Sequence, residues 1–264
     1  MQAPSYKFDA PDADVIIRAP LQPGSEELKD FNVHKAILSV ASTVFHEMFS
    51  TLQSAKSDTP LPVVQIAEPA GVFEVFLRLI YPVEPPIINS LLLVNDLFRL
   101  AAKYVAGGVR AKLKQTLLAP YFLRGDPIAV YAIARRANLD NEAMLAIPHT
   151  FEIDLVEEFP KSKLQAMTAE SYHRLLVEHS LRRDQLVNTV DDVCRSRGKT
   201  PCHCVQYFKR EMRLHISGRP FLDRETLVKC LPPQDRNFAC AGGCLLAPGG
   251  AGGFITDLLR RSRV

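Results

Sequence analysis

The sequence predicts an α+β chain: a small three-stranded sheet flanked by helices, followed by an all-helical extension. Three observations carry this expectation. Short β-branched or apolar segments fall at residues 14–18, 29–33 and 63–66, all in the first part of the chain. From Ala70 onward the apolar residues recur at helical spacing. Near the end, residues 239–253 hold six of the chain's 13 glycines, the composition of a flexible tail.

The elements follow in order. Residues 1–8 are expected to be a disordered lead-in, with Pro4 and then Pro11 interrupting any longer element. Asp14-Val15-Ile16-Ile17-Arg18 is the first strand, and the turn residues Pro20, Pro23 and Gly24 lead into the second. From Lys35, the positions Ile37, Ala41, Val44, Phe45 and Met48 lie on one face of a single helix. After a polar loop ending at Pro62 comes the third strand. Residues 72–81 form a helix stopped by Pro82. Ser90 caps the next, which lines Leu93, Leu97, Leu100, Ala101 and Tyr104 along one face. Gly107-Gly108 is read as the break before a helix over 109–118. Asp126 before Pro127 marks another start, and Asp140 and Thr168 are caps for two more. The expected division is a first domain over 9–118, a helical extension over 119–237 and a Gly-rich flexible tail over 238–264.

Composition narrows the function. With 264 residues and 47% hydrophobic content the chain can fill a sizeable core, and a net charge of +3 is too small to argue for nucleic acid. No uncharged apolar run approaches the roughly 18 residues of a membrane span. The first residues lack the apolar stretch of a secretory signal, so the expected location is intracellular, cytoplasmic or nuclear, with thiols reduced. Neither G-x-S-x-G, H-E-x-x-H, a phosphate loop nor G-x-G-x-x-G occurs, so the expectation is a protein without catalytic residues, cofactor or metal.

Two features of the last third point elsewhere. Cys194, Cys202, His203, Cys204, Cys230, Cys240 and Cys244 are enough ligands for a tetrahedral zinc site. However, no C-x-x-C knuckle occurs, and Cys202-His203-Cys204 is too compressed for all three to ligate one ion comfortably. Burial of the cysteines as small hydrophobes is the favoured reading. Between Arg195 and Arg213 there are six Lys/Arg and one acid, Glu211, with Tyr207 and Phe208 between them. A solvated helix face with both aromatics turned inward is favoured there over contact with nucleic acid.

The first unit resembles the BTB/POZ domain, a protein–protein interaction fold. Asp14-Val15 resembles its first strand, and Phe31-x-Val33-His34-Lys35 its second strand and the start of its helix. Ser39-x-x-Ser42-x-x-Phe45-x-x-Met48-Phe49 is similar to the helix that follows. Phe73-x-x-Phe76-Leu77-x-x-Ile80-Tyr81 resembles the next core helix, and Leu97-x-x-Leu100-Ala101-Ala102-Lys103-Tyr104 the closing one. Residues 127–134 and 171–176 look like the helical extension of BTB proteins abundant in fungi.

The resemblance implies a non-enzymatic scaffold or adaptor with protein partners, and a homodimer through the BTB unit as one arrangement. It also implies that Asp14 and Lys35 set opposite charges near a dimer groove. Phe8 and the first strand would contribute to such a dimer, but the short lead-in leaves little room for the extra helix of the long-form dimers. His34, at a strand-to-helix junction, is read as a hydrogen-bonded structural histidine. Phe45, Met48 and Phe49 are read as core, with a partner-binding patch as the alternative. Family members that serve as adaptors of a cullin ubiquitin ligase commonly carry an apolar-x-Glu triplet just after the Met-Phe position. Here Leu52 is apolar but Ser54 stands where the acid would be, which weakens a cullin partner. A third reading is a transcription-related regulator that uses zinc or nucleic acid through the last third.

Overall fold

The computed structural model describes residues 6–51, 60–159, 163–164, 167–196, 202–232 and 251–262. The chain divides into two compact units, Met1–Glu142 and Ala143–Val264.

In the first unit, β1 (Val15–Pro20) pairs antiparallel with β2 (Leu28–Val33) and parallel with β3 (Val63–Gln65), in the order β2-β1-β3. The strand period of two turns Val15, Ile17 and Ala19 inward, where all three are buried. Cross-strand neighbours Arg18 and Asp30 form a bidentate pair at 2.7 and 2.8 Å, which fixes the register on the solvent face. Gly24, with φ of +77°, supplies the left-handed residue of the connecting turn.

The sequence pattern suggests one helix from Lys35 to Phe49, but the structure has two: α1 (Lys35–Ala41) and α2 (Thr43–Ser50). Ser42 separates them. Its backbone is extended, and its buried hydroxyl accepts from the Phe45 N–H at 3.1 Å while donating to the Tyr104 carbonyl. A serine that caps a new helix and also ties a distant chain segment outcompetes the continuous helical ladder.

α3 (Ala70–Ile80) buries Phe73, Phe76 and Leu77, and α4 (Leu91–Lys103) buries Val94, Leu97 and Ala101. The Ser90 side chain caps α4 as expected. Its end differs from the sequence reading, which put the break at Gly107-Gly108. Those glycines open α5 (Gly107–Leu117), and Val105 makes the break. Val105 adopts φ of +51°, with Ala106 N–H bonded to the Ala101 carbonyl at 2.8 Å and Val105 N–H to Ala102 at 3.2 Å. This is a Schellman ending with a β-branched residue at the position that glycine usually fills. Asn138 makes the equivalent ending of α7 (Pro127–Arg136) with φ of +53°, a conformation asparagine tolerates. Val105→Gly is therefore expected to stabilise the first unit by about 1 kcal/mol. A higher urea midpoint at unchanged slope would register it.

The first unit extends past the expected boundary at residue 118. α6 (Pro120–Gly125), α7 and the start of α8 (Asp140–Thr150) belong to it. Arg110 on α5 donates to the Ala137 carbonyl at 2.6 Å, and Lys114 pairs with Glu142 at 3.1 Å. These bonds tie residues that the sequence reading assigned to the extension. As expected, Asp126 caps α7 and Pro127 occupies its first turn.

The second unit is helical, with α9 (Ala169–Ser196), α10 (His203–His215), α11 (Arg224–Lys229) and α12 (Ala251–Arg261). Thr168 accepts the Ser171 N–H at the start of α9. The core of this unit gathers Leu186, Val190, Phe208, Met212 and Leu227 around Phe254 and Leu258. The flexible tail expected over 238–264 is corrected over residues 251–261, while 238–250 lie outside the described residues. Residues 251–261 form a helix because Phe254, Ile255 and Leu258 share one face and bury it, with Phe208 packed edge-on against Phe254 at 5.6 Å.

His179, on α9, is buried against Phe151 and bonded through Nε2 to the Thr150 hydroxyl at 2.9 Å. Since Thr150 donates its one proton to the Ile147 carbonyl at 2.6 Å, it accepts from His179. The neutral ring therefore carries its proton on Nε2. Its buried Nδ1 has no hydrogen-bond partner among the described residues. Burial first, and then the charge of Arg183, lowers the His179 pKa to about 4, with Asp154 opposing them.

Candidate interaction surface

The residues that single out the first unit separate into two groups. Phe31, Val33, Ser42, Phe45, Phe49, Tyr81 and Tyr104 are buried. They form a continuous aromatic core: Phe45 stacks on Tyr104 with centroids 4.6 Å apart and planes 4° from parallel, on Phe49 at 5.7 Å, and edge-on to Phe73 at 6.4 Å. Met48 is half-buried beside them. The remainder, Asp14, His34, Lys35 and Lys103, sit at or near the surface and organise helix ends.

The start of α1 shows how. His34 supplies no side-chain cap. Asp14, just before β1, does so, its carboxylate accepting the Lys35 N–H at 2.7 Å. His34 N–H donates to the Tyr81 hydroxyl at 2.8 Å, and Nδ1 lies 3.3 Å from the same oxygen. Its Nε2 faces Asp12 at 3.4 Å. These contacts lock the strand-to-helix joint. Asp14 and Lys35, expected as opposite charges near a groove, meet here through carboxylate and backbone amide. Tyr81 is enclosed by Phe8 at 5.2 Å and Tyr6 at 6.3 Å, so the described part of the lead-in packs on its own unit. Burial, only partly offset by the His34 hydrogen bond, pushes the Tyr81 pKa up to about 12.

At the opposite end of the core, the Tyr104 hydroxyl donates to Glu68 at 2.8 Å, and Lys103 pairs with the same carboxylate. Burial raises the Glu68 pKa, but Lys103 and Tyr104 together hold it below the usual carboxylate range. Tyr104 is raised by burial and by the Glu68 charge. Glu68 and Lys103 border an open groove of about 510 Å³ lined also by Pro23, Pro69, Val72 and Arg99.

Exposed apolar residues flank the Ser42–Tyr104 bond in sequence. Val40 on α1 is 91% exposed, and Val105, in its strained conformation, is 57% exposed. Sequence reasoning missed both: Val40 belongs to no motif, and no residue pattern announces a left-handed valine.

The other sequence candidates resolve differently. Cys194, Cys204 and Cys230 lie in the apolar core of the second unit, with Cys202 packed partly against it. Burial pushes the Cys230 thiol up to about 11. Among the described residues no group of three His, Cys, Asp or Glu is placed to hold a metal; Cys240 and Cys244 lie outside them. In the basic run, Phe208 is buried, Tyr207 half-buried, and Lys209 pairs with Asp191 at 2.6 Å. Leu52 and Ser54, of the triplet after Met48-Phe49, fall outside the described residues. No helix among the described residues is long and apolar enough to cross a membrane.

Comparison with known proteins places one family here. Residues 21–119 match the family model described as the BTB/POZ domain. No curated protein matches the chain.

Proposed function

The chain carries a BTB/POZ domain at residues 21–119, and from that premise we propose that it is a non-enzymatic scaffold or adaptor, holding a protein partner or a second copy on its first unit. The domain itself supports a protein-interaction role in general. The finer reading assigns the contact to the exposed side of α1 and to the α4–α5 joint. One observation carries it: Val105 keeps an apolar side chain in solvent at a backbone position where glycine would relieve strain. Backbone strain of this kind costs on the order of 1–3 kcal/mol and persists where a function holds it. The aromatic residues of the module are used up in its core, which leaves recognition to the surface around them.

Purification of the tagged full chain from cells, with mass spectrometry of bound proteins and light scattering, tests the reading. The expected result is a stoichiometric partner or a particle of twice the 29.4 kDa chain mass. A bare monomer with nothing bound contradicts it. Recovery of a cullin would make the partner a ligase scaffold despite Ser54.

A further inference from the structure

The connection from α3 to α4 carries Pro82, Pro85 and Pro86, which with Val83 and Ile88 line an open groove of about 440 Å³ in the first unit. Proline fixes its own φ, so this apolar lining loses little conformational freedom when a ligand packs on it. Ile87, next in the chain, is 93% exposed. The remaining lining is polar and basic. Arg78 comes from the last turn of α3, and Lys112 and Gln115 lie one turn apart on α5.

Both cations are held by backbone carbonyls. Arg78 Nη2 donates to the Glu84 carbonyl at 3.2 Å, and Lys112 Nζ to the Leu79 carbonyl at 2.6 Å, at the negative end of α3. Arg78 Nε is buried and has no hydrogen-bond partner among the described residues. No residue lining the groove is Asp or Glu. Of the acids nearest Arg78 in the chain, Glu74 is bonded to Lys29 at 2.6 Å, and Glu84 is exposed and outside the lining. Carbonyl dipoles orient the two cations, and their formal charge is not neutralised within the lining.

We propose that this groove docks an acidic–apolar segment of a protein partner, in which Asp or Glu flanks a bulky apolar residue. Charge complementarity selects the acid, and the prolines with Ile88 receive the apolar side chain. The volume falls within the roughly 300–1,000 Å³ of ligand-sized sites. Val40 and Val105 line no part of the groove. The inference therefore extends the interaction role of the first unit to a second surface, and its test fails independently of the first.

Selection of a displayed random octapeptide library on the immobilised full chain, followed by fluorescence anisotropy of the enriched peptides, tests this. Enriched sequences should pair Asp or Glu with Leu, Ile, Phe or Trp and bind saturably. Affinity should fall roughly fivefold in Lys112→Gln and roughly threefold in Gln115→Glu, and rise roughly threefold in Gln115→Lys. Lys112 also holds the end of α3, whereas Gln115 is exposed. Opposite shifts in the two Gln115 variants, at unchanged melting, therefore separate binding from folding. Serine in place of the peptide's apolar residue should weaken binding at least roughly tenfold. The proposal is overturned by a library that does not enrich or by enriched peptides without acids. Equal affinity in the two Gln115 variants, or indifference to the serine replacement, overturns it as well.

Discussion

Phe45→Ala is expected to lower the stability of the first unit by about 3–5 kcal/mol, the range for deleting a fully buried phenylalanine. Phe45 is 0% exposed and touches every layer of the aromatic core: Tyr104 face to face, Phe49 stacked, Phe73 edge-on. Its removal leaves a cavity that its neighbours cannot close. Tyr104 is pinned by Glu68 at one end, and its carbonyl by Ser42 at the other. Phe73 is wedged between Phe31 at 5.7 Å and Phe76 at 6.0 Å. Hydrogen exchange should show the amides of α3 and α4 losing protection together, since their buried faces share this core. A loss below about 1 kcal/mol would mean the site collapses freely and the core is not the rigid body described above.

The second large effect is a pH dependence in the second unit. Unfolded, His179 takes up a proton near its ordinary pKa of 6.5; folded, it resists protonation until about 4. Between these values the unfolded state binds the extra proton, so stability is full above pH 6.5 and falls as pH drops toward 4. The depression corresponds to at most about 3 kcal/mol. The groups around the ring explain the direction. The Thr150 hydroxyl has no proton to spare, Phe151 offers an apolar face, and Arg183 repels a second positive charge, with Asp154 the one opposing influence. Carboxylates with lowered pKa values, Asp154 and Asp223 among them, also lose their contribution at low pH. The difference between wild type and His179→Gln isolates the histidine. Melting of both across pH 4–7 should show a steeper acid dependence in wild type than in the variant; parallel curves would refute the assignment.

The first unit was legible in the sequence because its signals are local and redundant. The β-branched run Val15-Ile16-Ile17 marked the first strand, and the helical spacing of apolar residues over 72–81 marked α3. Motif residues scattered from Asp14 to Tyr104 gave the family. What escaped depended on contacts far apart in sequence. Nothing near Ser42 shows that its hydroxyl would bond Tyr104, 62 residues away, and split a helix. The unit boundary moved past residue 118 because Arg110 and Lys114 reach forward to Ala137 and Glu142. Glycine content outweighed helical periodicity in reading residues 251–261, where three buried apolar side chains decide the matter. On the candidate surface, Asp14 and Lys35 were visible as charges, but that Asp14 caps α1 required coordinates. The basic groove was invisible, since Arg78 and Lys112 come from separate helices with no shared motif.

The most direct measurement is partner capture by the double variant Val40→Asp/Val105→Asp. Both sites are exposed, and aspartate tolerates the left-handed conformation better than valine, so melting should stay at or above the wild-type value. If α1 and the α4–α5 joint hold the partner, the recovered complex, whether hetero-complex or dimer, should weaken at least roughly tenfold. Capture identical to wild type, with the fold intact, would contradict the account.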